Sequence, residues 1–151
     1  MKKSAGILVY RRKQDGIEFL LVHPGGPFWK NKETGAWSIP KGEFTDEEEP
    51  LAAAIREMQE ETGITVSGDF IELTPRKQKS GKLVYAWSIE KDMDATSIKS
   101  NEFDLEWPPR SGKMIRIPEV DRAAWFDEAM AKEKINPGQA AFIDELIMKL
   151  Q

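Results

Sequence analysis

From Pro50 to Gly63 the chain has one conformation open to it. Residues 42–64 read GEFTDEEEPLAAAIREMQEETGI. Proline is accepted in the first helical turn and breaks the ladder deeper in, so the helix enters at Pro50. This leaves Thr45 and Glu48 outside it, despite their T-x-x-E spacing. Gly63 supplies the left-handed cap that ends it. Leu51, Ile55, Met58 and Thr62 repeat at i, i+4, i+7 and i+11 and define the expected buried stripe. At about 100° per residue, Glu57, Glu60 and Glu61 fall within an arc of about 100° on nearly the opposite side. Like charges at these spacings cost a few tenths of a kcal/mol per pair. Carboxylates at a helix C-terminus also oppose the macrodipole, at about 0.3–1 kcal/mol each. Arg56 is expected to neutralise one of them at most. A cation relieves the rest, and oxygen donors without histidine or thiolate select hard ions such as Mg²⁺, with Mn²⁺ as a substitute.

The charge of the whole chain supports a local reading of this acid. Residues 42–64 carry eight acidic groups and one basic group, whereas the rest of the 151 residues hold 21 basic and 18 acidic. A net charge of −4 without a long basic tract disfavours a stable nucleic-acid complex, which rests on lysine and arginine neutralising phosphates. Small phosphorylated ligands remain open. The chain has no cysteine and one histidine, His23, which excludes disulfides, thiol nucleophiles and multi-histidine metal sites. No apolar run reaches the length of a membrane span, and the N-terminus does not resemble a secretory signal. The expectation is one domain over 1–151, in the cytoplasm, with no membrane partner; the oligomeric state is not legible.

Elsewhere AGILVY (5–10) and IEFLLVH (17–23) read as paired strands around an Asp15-Gly16 turn. PGGPFWKNKETG (24–35) is an expected loop, and AWSIP (36–40) a short strand ending at Lys41-Gly42. KLVYAWSIE (82–90) is apolar on both faces, like a covered strand. EFDLEW (102–107) alternates, with Phe103, Leu105 and Trp107 opposite Glu102, Asp104 and Glu106. PPRSGK (108–113) reads as a loop and RAAWF (122–126) as a last strand. Two helices follow, DEAMAKEKI and NPGQAAFIDELIMKLQ. In the second, Asn136 is the expected N-cap, Pro137 stands in the first helical position, and Ile143, Leu146, Ile147 and Leu150 recur at helical spacing.

Gly42, Glu48, Arg56-Glu57, Met58, Glu60-Glu61, Gly63 and Ile64 stand at the spacings of the signature of the Nudix hydrolases, and the order of elements is similar to that family over most of the chain. The resemblance implies an α/β (α+β) fold, a sandwich in which a mixed β-sheet is flanked by helices. It also implies cleavage of a pyrophosphate linkage in a nucleoside diphosphate joined to a further group. By similarity, Glu57, Glu60 and Glu61 coordinate Mg²⁺, Arg56 orients Glu57, Glu48 supports the loop, and Gly42 allows close backbone approach. Glu57 or a residue of a later loop takes the proton. The resemblance also implies a further carboxylate from outside the signature, for which Glu119 is the first candidate and Glu102, Asp104 and Glu106 are rivals.

Trp-x-x-Pro-Lys-Gly before the signature resembles the dinucleoside polyphosphate hydrolases and the cap-removing members. Lys41 beside the metals suits an extra phosphate. Tyr85 and Trp87 are open to two readings, stacking on a base or packing in the core. Lys30, Lys32, Arg110, Lys113 and Arg116 lie in or near loops, where phosphate contact competes with ordinary solvation. The expected function is hydrolysis of a dinucleoside polyphosphate such as diadenosine tetraphosphate. A nucleoside triphosphate pyrophosphohydrolase and a non-catalytic nucleotide-sensing domain are the alternatives.

Overall fold

The computed structural model describes residues 2–151. Strand β1 (Lys3–Lys13) turns through Asp15-Gly16 into β2 (Gly16–Pro24), with Tyr10 opposite Phe19 and Lys13 opposite Gly16. β1 shares one edge between two partners. Tyr10–Lys13 pair with β2, while Lys3–Gly6 pair with β3 (Lys41–Phe44). Between them the chain at 38–40 is wedged in, with Ile7 N–H donating to Pro40 O (3.2 Å) and Val22 and Ser38 exchanging bonds (2.8 and 2.9 Å). The wedge requires glycine at position 6, where a Cβ would lie 2.6 Å from Pro40 O. It also delivers Lys41 and Gly42 to the open end of the sheet.

The other edge of β1 runs parallel to β5 (Leu83–Glu90), which pairs antiparallel with β4 (Ile71–Lys77). β8 (Val120–Asp127) closes the far side on β2, giving the order β4-β5-β1-β2-β8 in a mixed sheet. Helix α1 (Pro50–Thr62) covers one face, packing Ala53, Ala54 and Met58 over Ala5, Ile7, Val9 and Leu20. Helices α2 (Glu128–Lys134) and α3 (Ala140–Lys149) belong to the other face, where Leu8, Phe19, Leu21, Trp37, Phe142, Ile143 and Leu146 form a second cluster. Among the described residues no helix is long and apolar enough to cross a membrane.

The expected sandwich and the bounds of α1 agree with this architecture, and several local details differ from the expectations. Residues 36–40 make only isolated bridges, and the strand begins at Lys41, because the wedge splays this segment away from a continuous ladder. The buried side of α1 is rotated from the expected stripe. Ala53, Ala54, Glu57, Met58 and Thr62 are buried, while Leu51 and Ile55 are partly exposed. The two alanines bring the helix close to β1, which carries Glu57 inward. β4 was not expected, since Pro75 and its charges hide a strand whose register shifts between Leu73 and Arg76. EFDLEW lies outside the main sheet. β6 (Glu102–Glu106) pairs with β7 (Met114–Pro118), also unexpected, in a separate two-stranded ribbon. Asn136 caps as expected, accepting from Gly138 N–H (2.8 Å), but its first turn is a 3-10 turn (Pro137–Gln139) ahead of α3.

Candidate active site

The C-terminal end of α1 leaves carbonyl groups without partners inside the helix, and the chain answers them in a way that builds the site. Gly63, at φ 78°, turns its N–H back to Gln59 O (2.7 Å). Lys99 and Asn101 donate their N–H groups to Thr62 O (2.9 Å) and Glu60 O (2.8 Å). Asn101 O then accepts from Glu119 N–H (2.8 Å), and Glu119 O accepts from Gly25 N–H (3.0 Å). The turn between β7 and β8 is thereby fastened to the acidic end of α1.

As a result, carboxylate oxygens of Glu57, Glu61 and Glu119 lie within 4.8 Å of one another. Glu57 is only 8 % exposed, and a Cβ on Gly42 would lie 2.0 Å from its Oε2, so only glycine leaves room there. Lys41 N–H donates to Glu61 Oε1 (3.3 Å). Glu60 stands apart from this trio. Arg56 donates through Nη1 to Glu57 Oε1 and Glu60 Oε2 (2.7 Å each), and through Nε and Nη2 to both oxygens of Glu48 (2.8 and 2.9 Å). With its single charge Arg56 thus hydrogen-bonds three carboxylates, two of them on its own helix face, because its planar fork presents several donors at once.

The electrostatics divide these acids into two groups. The Arg56 hydrogen bond holds Glu48 below the usual carboxylate range. Burial pushes Glu61 up to about 8, reinforced by the charges of Glu119 and Glu57 and only partly opposed by Lys41. Glu57 is raised by burial and by Glu60 and Glu119 against the pull of Arg56, and Glu119 by burial and Glu60. Lys41 is lowered, first by burial and then by Lys82. Three anionic carboxylates cannot share so small a space without a cation. Oxygens sharing one hard divalent ion, bound at about 2.0–2.6 Å each, stand at most about 4–5 Å apart. The all-oxygen donor set and its spacing fit such an ion.

Beside the trio, Lys41, Glu61 and Glu119 line a cavity of about 220 Å³ whose walls continue to Trp29, Gln78 and Asn136. None of the three was read as a site residue in the sequence, where Asn136 figured only as a helix cap; the available signal, for Trp29, was a large aromatic residue inside a glycine- and proline-rich loop. His23 is fully buried beneath that loop, with Nε2 donating to Lys32 O (2.6 Å) and Nδ1 facing Asp121 Oδ1 (3.1 Å), so it acts as a strut. Tyr85, expected to meet substrate, does not line the cavity; it packs edge-on against Phe44 at 5.7 Å under α1, since its position on β5 faces that side of the sheet. Trp87 lies in the same cluster. Glu102 and Asp104 face Arg116 on the ribbon, and Glu106 accepts from Arg110 and Gly112 N–H at its tip. Lys30, Lys32, Arg110, Lys113 and Arg116 do not line the cavity.

Comparison with known proteins places this geometry in context. A family model described as the NUDIX domain matches residues 1–146. The rat bis(5'-nucleosyl)-tetraphosphatase [asymmetrical] is 30% identical over 142 residues, covering 85% of this chain and 88% of the rat protein. The mRNA-decapping protein g5R of African swine fever virus (isolate Warthog/Namibia/Wart80/1980) is 32% identical over 101 residues, 64% of this chain. That match spans 39% of the viral protein's length. In fold, the chain is similar to a C. elegans Ap4A hydrolase binary complex, with a TM-score of 0.65, 22% identity, and coverage of 99% of this chain and 98% of that one.

Proposed function

The chain belongs to the Nudix hydrolase family, and on that premise we propose that it hydrolyses a pyrophosphate bond in a dinucleoside polyphosphate, diadenosine tetraphosphate being the representative substrate. The observation that carries this reading is the Glu57, Glu61 and Glu119 trio, closed to within 4.8 Å and opening with Lys41 onto one cavity. These three carboxylates would hold Mg²⁺, or Mn²⁺ in its place. When bound, the metal neutralises phosphate oxygens and lowers the pKa of water.

The remaining work falls to the chain itself. Arg56, anchored on both oxygens of Glu48, fixes the Glu57 carboxylate from one side while Gly42 lets the backbone of β3 press on it from the other. Glu60 stays on Arg56 and adds negative charge beside the trio. Lys41 meets a phosphate with an ammonium that burial has partly stripped of water. Water oxygen bonds to phosphorus as the anhydride P–O bond breaks, the leaving nucleotide keeps the electron pair, and Glu119 takes the proton. Glu119 suits that role because no ion pair engages it among the described residues, and a carboxylate that would hold the metal through one oxygen keeps the other for a proton.

A phosphate-release panel in Mg²⁺ tests the substrate class, with diadenosine polyphosphates, nucleoside triphosphates, ADP-ribose and capped RNA as its members. The expected result is fastest turnover of the diadenosine compounds. Turnover confined to nucleoside triphosphates or capped RNA would move the assignment to that class. Tight nucleotide binding with no hydrolysis of any member would make this a sensing domain.

A further inference from the structure

We infer that His23 is a positioning residue for the site: by donating from both ring nitrogens at once it clamps the loop of residues 24–35 onto β8 beside Glu119, and the clamp opens when the ring gives up one of its two protons. This rests on the pyrophosphohydrolase reading for its kinetic readout alone. His23 is the one histidine of the chain and is fully buried, and the proposed hydrolysis makes no use of its proton chemistry.

Its place in the fold puts it behind the wall of the cavity. His23 stands opposite Arg122, where the β2–β8 ladder shifts register between His23 and Pro24. Its neighbours Val22 and Pro24 line the cavity, as do Trp29 of the loop, Glu119 and Val120. Gly25, two residues on, donates its N–H to Glu119 O (3.0 Å). What holds His23 therefore sets the spacing between the loop and the turn that presents Glu119.

Both ring nitrogens face acceptors. Nε2 lies 2.6 Å from Lys32 O and Nδ1 lies 3.1 Å from Asp121 Oδ1. A neutral imidazole carries one N–H, so meeting both acceptors takes the doubly protonated ring. With one proton, a lone pair would face a carbonyl or a carboxylate where water cannot relieve it. The charges around the ring come from the loop, β8 and α2. Asp121 and Glu33, the latter 4.0 Å from Nε2, are the acids. Arg122 Nη1 stands 3.5 Å from Nδ1 and equally far from both oxygens of Asp121, while its Nη2 donates to Glu33. Lys134 Nζ is 3.4 Å from Glu33, and the Lys32 ammonium lies over the Phe28 ring (3.8 Å). Nδ1 is thus nearer to an anion than to a cation, which favours its proton. When that proton passes to solvent, the bond to β8 is lost and Nε2 keeps Lys32 O.

The test uses the whole chain with ¹⁵N-labelled histidine, whose single ring makes every ring signal in the NMR spectrum assignable to His23. At about pH 6 both ring nitrogens should carry a hydrogen. As pH rises, the Nδ1 proton should disappear, and amides of residues 25–35 should exchange faster than their intrinsic pH dependence. Over the same interval KM for diadenosine tetraphosphate should rise roughly tenfold, the scale of one charged hydrogen bond, with kcat changed less than about threefold. His23→Gln, which keeps a donor for Lys32 O and cannot titrate, should remove that rise. Asp121→Asn should shift the loss of the Nδ1 proton to lower pH. A wild-type ring with a single N–H at about pH 6, or a rise in KM that persists in His23→Gln, would overturn the clamp. Absence of all turnover would sink the proposed function, and the ring signals and loop exchange would still decide the clamp.

Discussion

Two buried glutamate positions, on opposite faces of the sheet, have nearly equal exposure and opposite chemistry. Glu145 on α3 is 7 % exposed and Glu57 on α1 is 8 %. Burial is the largest influence on each and raises both. At Glu145 it is overcome. Thr74 donates from N–H (2.9 and 3.1 Å) and Oγ1 (2.9 Å), Lys149 stands at 3.2 Å and Arg76 at 3.6 Å, and the carboxyl ends below its ordinary range. At Glu57 the single guanidinium of Arg56 is shared with Glu48 and Glu60, the neighbouring acids add repulsion, and the carboxyl ends above it. A buried acid whose hydrogen bonds are supplied by the protein is structural; one left short of cations is built for a ligand that brings them.

The comparison breaks most visibly in activity. Glu61→Gln should lower kcat/KM for the cleaved substrate roughly a thousandfold, the scale of removing a group that neutralises transition-state charge. Glu145→Gln should leave it within about threefold, because that side chain touches nothing at the site. Steady-state kinetics on the two purified variants separates them. Next in size is Glu48→Gln, which loosens Arg56 and thereby Glu57. A loss of about 10- to 100-fold in metal affinity or activity is expected, read by Mg²⁺ titration.

Stability should respond in the reverse order. Glu145→Leu leaves the Thr74 N–H without its partner and should cost about 1–3 kcal/mol in urea unfolding. Glu57→Gln and Glu61→Gln, measured in chelator, should melt no lower than wild type, since each removes repulsion. Stability also carries a pH slope. Glu61 releases its proton at 4.5 when unfolded and at about 8 when folded. Between these values the folded state holds more protons, so metal-free protein loses stability as pH rises from about 4.5 to about 8. Added Mg²⁺ and Glu61→Gln should each flatten that slope in melting curves taken across this range.

What was legible along the chain was what depends on near neighbours. Pro50 and Gly63 set the bounds of α1 by backbone sterics, two β-rich runs around Asp15-Gly16 marked the β1–β2 hairpin, and Asn136 declared its cap. β4 was hidden because Pro75 and its charges mask its pattern, although it pairs with the next strand along the chain, as β7 pairs with the strand just before it. The spacing of Glu57 and Glu61 put them on one side of a helix, but that alone described a solvated acidic face equally well.

The sequence by itself determined that negative charge is crowded at the C-terminal end of one helix, because helical spacing is a local property of the backbone. Only the tertiary structure decided that two alanines draw that helix onto β1 and turn Glu57 inward. It also decided that Asn101 links the helix end to Glu119, and that Glu60 and Tyr85 stand outside the cluster and the cavity. Burial and contacts between distant segments arise when the layers close, and they convert a row of exposed acids into a site short of positive charge.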